Sequence, residues 1–190
     1  MTVQSEVANA LHRVQPYLDN AFPRNIIAVC EALDIEVKET KDFPQNVSGL
    51  IYKKQCKEQT KEKRDKYCIL VNAEQSAGRK TFTIAHELGH YLMHKAKLDT
   101  DNEIISGAKG IDIDSQACIA RTDITADSSA EYRKLETEAN RFAAEVLMPR
   151  DIFLNKCMSL DSIDDVASYF GVSISAATIR ADRLGGLYFL

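Results

Sequence analysis

The sequence predicts an α+β fold in which a small mixed sheet packs against helices, with one central helix carrying ionisable side chains. Three observations support this prediction. The 190 residues are 45% hydrophobic and 27% charged, a composition typical of a compact globular protein. Two amphipathic helical segments are followed by three short segments rich in β-branched or aromatic residues. The strongly apolar stretch 81–94 then contains three histidines and a glutamate.

The first third of the chain accounts for the predicted sheet. Apolar residues at helical spacing indicate a first helix, namely Val7, Leu11, Val14 and Leu18. Pro23 is expected to open a second helix, because proline suits the first helical position. The predicted strands are residues 35–39, 48–54 and 66–72. The charge-dense run 53–66 is expected to include a solvated hairpin loop.

Further helices are predicted in the second half. Residues 77–95 are apolar nearly all round, as expected for a helix buried in a domain. The segment 128–149 begins with capping-box spacing and ends at a proline. Residues 162–186 indicate two short helices separated at Gly171 and closed by Gly185 and Gly186. Between the first two of these segments, residues 96–127 show no sustained hydrophobic period. A stretch of this length without a pattern is typical of a functional or flexible excursion.

Charge and cysteine content exclude several classes of function. A net charge of −4 argues against attraction of the whole protein to nucleic acid or an anionic membrane. No stretch reaches the roughly 18 apolar residues that a membrane span needs. The five cysteines are odd in number and form no C-x-x-C pair, so they do not indicate a disulfide framework. We therefore expect a cytoplasmic protein.

The H-E-x-x-H sequence of the central helix predicts a metal site. His86 and His90 are four residues apart and lie on one helical face, so their imidazoles can point at a single divalent cation. Glu87 lies about 100° round the helix, where a carboxylate can reach a metal-bound water without binding the metal. Zn2+ is the expected ion, and Glu87 is the expected general base.

His94 continues the four-residue spacing but is not expected to be a ligand. It lies about 12 Å along the helix axis from His86, too far for both to form bonds of about 2 Å with one ion. We expect instead a histidine hydrogen-bonded in the core or to a ligand.

A catalytic zinc needs a third protein ligand and an open position. In the segment 128–149, Glu136 shares its face with small or apolar residues that would allow close packing against the central helix. These residues are Ala139, Asn140, Ala143 and Leu147. Glu138 lies on a charged face and is expected to meet water. Glu136 is therefore the predicted third ligand, and Asn140 is predicted to hydrogen-bond a ligand.

These residues resemble the ImmA/IrrE family of zinc metallopeptidases. The chain has "FTIAHELGH" at 82–90 and "ETEANRFAAEVLMP" at 136–149, a long match to the two motifs of that family. The resemblance implies a zincin-like endopeptidase that binds zinc through two histidines and a downstream glutamate, as gluzincins such as thermolysin do. It also implies a protein substrate, namely a helix-turn-helix repressor of antitoxin or prophage type, and hence a role in transcription regulation.

The resemblance also implies a division of the chain. Residues 1–150 would form the metallopeptidase domain, and 151–190 would form a helical subdomain, resembling a helix-turn-helix, packed on it. The sequence does not identify the residue that stabilises the oxyanion of peptide hydrolysis.

Two alternative functions remain open at this point. The protein could bind a repressor without cleaving it, as a regulator or anti-repressor, although Glu87 favours cleavage. It could also be a DNA-binding regulator that uses its last helices. However, residues 159–190 contain four aspartates and two arginines, whereas phosphate binding needs the opposite balance of charge. Direct contact with nucleic acid is therefore not expected.

Overall fold

The computed structural model describes residues 3–43, 47–54, 66–100, 115–122 and 130–189. The helices and strands are listed here in chain order: α1 (Val3–Val14), α2 (Ile26–Ala32), β1 (Ile35–Thr40), β2 (Val47–Lys54), β3 (Tyr67–Asn72), α3 (Ala77–Thr100), β4 (Ser115–Thr122), α4 (Ala130–Leu147), α5 (Arg150–Ser159), α6 (Ile163–Phe170) and α7 (Ile174–Leu184). Among these residues, none of the helices combines the length and apolar character that crossing a bilayer requires.

The sheet is mixed, in the order β1-β3-β2-β4, which confirms the predicted α+β class. β1 is parallel to β3, while β2 is antiparallel to both β3 and β4. Three strands were predicted, and the described residues contain four. β4 falls within 96–127, where the sequence has no alternating pattern, and its place depends on pairing with β2. The predicted loop at the centre of 53–66 lies outside the described residues.

Two helix boundaries differ from the predictions. α2 begins at Ile26, because the Asn25 side chain accepts a hydrogen bond from the Ala28 N–H and caps the helix. The prediction that Pro23 opens it was therefore wrong. α3 continues past residue 95 to Thr100, with non-helical backbone angles at His94 (φ −119°, ψ 18°).

The central helix α3 packs closely against the sheet and against α4. A Cβ atom on Gly49 of β2 would lie 2.4 Å from Cγ2 of Thr83, so this strand approaches α3 at a point where only glycine fits. On its other side, α3 contacts α4 through Gly89. The sheet and α4 therefore hold the H-E-x-x-H segment between them.

The C-terminal helices share the main hydrophobic core. Phe170 of α6 and Ala181 of α7 belong to the same cluster of buried side chains as Val7 of α1 and Leu88 of α3. α6 and α7 begin at serine caps and end at Gly171 and Gly185, which adopt positive φ. The two predicted helices and their glycine ends are confirmed, whereas the division at residue 150 stays a prediction.

Arg180 ties α7 to the end of α4. Its guanidinium donates two hydrogen bonds to the Met148 carbonyl, at 2.8 and 3.1 Å, and two to the Glu145 carboxylate, at 2.7 and 2.9 Å. Arg24 donates to the Val146 carbonyl from the opposite end of the sequence. Side chains thus donate to the Val146 carbonyl in the last turn of α4 and to the Met148 carbonyl just beyond it.

Candidate metal centre

α3 brings two imidazoles together inside the protein. His86 and His90 are both 0% exposed, and their Nε2 atoms lie 3.0 Å apart. The helical repeat places the two rings one above the other, and the apolar neighbours of α3 remove them from water. The prediction that these side chains converge on one point agrees with the structure.

α4 adds a carboxylate at the same point. Glu136 is buried, with one oxygen 3.3 Å from Nε2 of His86 and the other 3.1 Å from Nε2 of His90. Each of the three residues offers a ligand atom, and these atoms all lie within 4.8 Å of one another. Within the described part of the chain, this is the group of side chains that could hold a metal ion.

The donor set fits zinc in both chemistry and spacing. Two imidazole nitrogens and one carboxylate oxygen form a common set of protein ligands at catalytic zinc sites. In a tetrahedral site with bonds of about 2.0–2.1 Å, ligand atoms lie about 3.3 Å from one another. The two imidazole nitrogens lie 3.0 Å apart, and each has a different oxygen of the Glu136 carboxylate 3.1 or 3.3 Å away, so the donors are close enough together to surround one ion.

The electrostatics of the site keep Glu136 in the form that binds a cation. Burial alone would raise the pKa of this carboxyl. Its hydrogen bonds to His86 and His90, together with their charge, have the larger combined effect and hold the pKa below its ordinary value. A divalent cation at the same point would act in the same direction, because it also favours the ionised carboxylate.

Asn140 is positioned to orient His86. Its Oδ1 lies 3.1 Å from Nδ1 of His86, on the side of the ring away from Glu136. With this oxygen as the acceptor, the contact favours the tautomer of His86 that carries a proton on Nδ1, which leaves Nε2 available to a metal ion. The structure places Asn140 where the sequence predicted it, one helical turn beyond Glu136.

Glu87 follows the candidate ligand His86 in α3 and is buried, but it does not belong to the ligand cluster. Its side chain is 0% exposed, and the ligand cluster contains His86, His90 and Glu136 only. This placement is compatible with the predicted role, which requires a carboxylate near the metal that does not bind it.

Glu138 does not meet water, and that prediction was wrong. It is 2% exposed, and its Oε2 lies 2.9 Å from Nε2 of His94. The prediction assumed that α4 is buried along a single face, but its buried residues cover a larger part of its circumference. Its buried residues are Leu135, Glu136, Glu138, Ala139, Phe142, Ala143, Val146 and Leu147.

His94 connects Glu138 to His90. Its Nδ1 lies 2.9 Å from Nδ1 of His90, and it is the other ring nitrogen of His90, Nε2, that approaches Glu136. Burial and the neighbouring His90 lower the pKa of His94 to about 4, although Glu138 and Glu136 oppose this shift. His94 is therefore neutral at neutral pH. The expectation that it is a hydrogen-bonded core histidine agrees with this arrangement, while the contact with Glu138 was not predicted.

A cavity of about 340 Å³ opens beside the candidate metal centre. Asn140 links the two features, because its side chain both lines the cavity and contacts His86. The remaining walls come from the beginning of α3, the end of α4 and from α7. They include apolar residues and arginines: Arg79, Phe82, Ala144, Met148, Ala176, Ile179, Arg180 and Arg183. The sequence did not predict the cavity, which depends on how distant segments pack.

The fold and the site together define a metallopeptidase. The chain carries H-E-x-x-H on a buried helix and a third potential ligand on a later helix, the arrangement used by zinc peptidases. More particularly, the chain belongs to the peptidase family described as "IrrE N-terminal-like domain", whose model matches residues 30–110 and 113–182.

Two relatives are consistent with this membership. The chain is 26% identical to "Metallopeptidase ImmA" of Bacillus subtilis (strain 168) over 177 residues, which cover 92% of this chain and 85% of the relative. It is 29% identical to "Uncharacterized immunity region protein 2" of Bacillus phage phi105 over 120 residues, covering 63% of this chain and 61% of the relative.

Proposed function

We propose that this metallopeptidase holds one zinc ion with His86, His90 and Glu136 and hydrolyses a peptide bond in a protein substrate. The observation that carries the proposal is the convergence of two imidazole nitrogens and a carboxylate at 3.0–3.3 Å in the protein interior. Zinc bound there would act as a Lewis acid and lower the pKa of its water to about 7.

Glu87, Asn140 and the cavity beside Asn140 have separate roles in the proposed reaction. Glu87 takes a proton from the attacking water and passes it to the leaving amine, because it is a buried carboxylate next to the ligands but outside their cluster. Asn140 holds His86 in the tautomer that presents Nε2. The cavity beside Asn140 accommodates a part of the substrate close to the reacting bond.

The substrate we propose is a helix-turn-helix repressor. Support comes from the family resemblance and from the phage relative, whose name assigns it to an immunity region. DNA binding is disfavoured, because α7 exposes apolar side chains rather than a basic stripe. Ile174 is 54% exposed and Ile179 is 52% exposed.

The substitution Glu87→Gln distinguishes proteolysis of a substrate from binding without cleavage. Zinc-loaded protein is incubated with a candidate repressor, such as one encoded beside its gene, and products are identified by mass spectrometry. We expect wild type to cleave the repressor and Glu87→Gln to bind it without cleavage. The matched control is Glu74→Gln, which alters an exposed glutamate and should cleave as wild type does.

Cleavage that persists in Glu87→Gln would remove the assigned role of that residue. Binding by wild type with no cleavage in the presence of zinc would show a non-proteolytic regulator instead.

A further inference from the structure

We infer that Glu138 and His94 are positioning residues that fix His90 in the tautomer able to bind the metal. The inference rests on the proposed function, because it concerns a ligand of the proposed zinc site. It assigns a role to two buried polar residues that neither bind the metal nor act on the water. Glu138, His94 and His90 form a continuous hydrogen-bonded row, which we call the relay.

The direction of the relay follows from the donors and acceptors available. The carboxylate of Glu138 only accepts, so Nε2 of His94, 2.9 Å away, must carry a proton. A neutral imidazole has one N–H, and Nδ1 of His94 is then an acceptor. Nδ1 of His90 lies 2.9 Å from it and must donate. The proton of His90 is thereby held at Nδ1, which leaves the Nε2 lone pair facing Glu136 and the proposed ion.

A hydrogen bond donated by His94 to His90, instead of the reverse, would abolish metal binding at His90. If Nδ1 of His94 donated to His90, the proton of a neutral His90 would move to Nε2, where it would block the ligand position. A carboxylate at the far end of the relay prevents this reversal, because it offers no N–H. A glutamate is therefore better suited to this place than an amide, which can turn and donate.

The relay is buried where it meets Nδ1 of His90. The side chains of His94 and Glu138 are 5% and 3% exposed, so water does not compete effectively for these hydrogen bonds. His86 has a separate partner in Asn140. Each candidate histidine ligand thus has its own orienting group.

The backbone at His94 is consistent with this role. α3 departs from helical angles at this residue, while its ring lies 5.1 Å from the ring of His90, centroid to centroid. A purely structural tie between α3 and α4 would require only the bond between His94 and Glu138. It would not require Nδ1 of His94 to face Nδ1 of His90.

The first test reads the tautomers directly in the wild-type, zinc-loaded protein. Long-range ¹H–¹⁵N correlation spectra distinguish protonated from unprotonated ring nitrogens. We expect a proton on Nε2 of His94 and on Nδ1 of His90. A proton on Nδ1 of His94 would overturn the inference. This measurement needs no variant and does not depend on activity.

The second test measures zinc affinity by competition with a chelator. Glu138→Leu and His94→Phe should each weaken binding by about 10- to 100-fold, the usual effect of removing a partner of a ligand. Glu138→Gln and His94→Gln keep an acceptor and should weaken it less than the apolar replacements. The matched control is Thr137→Ala, an exposed position of α4 whose hydroxyl bonds only to the Arg133 carbonyl.

The outcomes distinguish a failure of the inference about the relay from a failure of the proposed metal site. Unchanged zinc affinity in Glu138→Leu and His94→Phe would overturn the inference and leave the proposed function standing. A wild-type protein that binds no zinc would overturn both. If an apolar variant does not fold, the ranking of the glutamine variants against wild type and the wild-type spectra decide the question.

Discussion

Gly89 and Phe142 lie in contact at the crossing of α3 and α4, one residue before His90. A Cβ atom on Gly89 would stand 3.0 Å from Cδ1 of Phe142 and 3.3 Å from Cα of Ala139. The absence of a side chain therefore sets the separation of the two helices. That separation in turn determines whether Glu136 can reach both histidines.

Enlarging Gly89 should consequently affect the metal site as well as the fold. Gly89→Val is expected to lower the free energy of unfolding by about 1–3 kcal/mol, the range for an overpacked core. It should also weaken zinc binding, because α4 must move away from His90. Chemical denaturation and zinc titration measure the two effects. Gly89→Ala, with a smaller intrusion, should fall between wild type and Gly89→Val, and equal affinities in all three would contradict the argument.

Substitution of the proposed ligands should separate metal binding from proton transfer. Glu136→Ala, His86→Ala and His90→Ala each remove a donor atom and should lower zinc affinity by more than about a hundredfold, beyond the usual effect of an outer partner. Glu87→Gln should retain zinc, since Glu87 lies outside the ligand cluster. Elemental analysis after dialysis against a chelator gives the metal content. Equal loss of metal in all four variants would refute the separation of roles.

The cavity beside Asn140 can be filled without touching the proposed ligands. Ala176 of α7 lines it, so Ala176→Trp should hinder a substrate while leaving zinc affinity unchanged. We expect kcat/KM for a cleaved substrate to fall at least about tenfold, or about 1.4 kcal/mol of transition-state stabilisation. Thr178→Trp, at an exposed position of the same helix, is the control and should cleave normally. Full activity in Ala176→Trp would show that substrates do not occupy this cavity.

Cys30 should resist alkylation in the folded protein. Burial, and to a smaller extent the neighbouring Glu31, raises the pKa of its thiol to about 12. The reactive thiolate is therefore scarce below that pH in the native state, whereas the unfolded chain ionises near 9. Between pH 9 and about 12, the native state holds more protons at Cys30 than the unfolded chain does. The free energy of unfolding therefore falls as the pH rises above 9.

Mass-spectrometric mapping of iodoacetamide adducts at pH 8.5 checks this prediction. Cys30 should be modified only after denaturant is added. Rapid modification under native conditions would mean that α2 opens readily, since its cysteine is fully buried in the structure.

The sequence predicted those parts of the site that follow from the geometry of a single helix. His86 and His90 are neighbours whenever the segment is helical, and Asn140 follows Glu136 by one turn. The association of Glu138 with His94 could not be found in this way. It depends on where two helices cross, and the charged residues near Glu138 indicated solvent although Glu138 itself is buried.

The fourth strand was missed for a related reason. The segment of β4 has no clear alternation, its only apolar residues are the short run 117–120, and it pairs along β2 as a strand. The other strands combine β-branched content with adjacent turns, which local sequence does reveal. Among the features that arise from contacts between distant segments, Glu136 is the exception, because the small residues on its face indicated close packing against the central helix, whereas β4 and the contact of Glu138 with His94 have no such local signal.

Arg180 has a consequence that extends beyond the end of α4. Its bonds to the Met148 carbonyl and to Glu145 join α7 rigidly to the helix that carries Glu136. Arg180 therefore connects the surface of α7, with its exposed Ile174 and Ile179, to the helix whose Glu136 carboxylate faces both histidines.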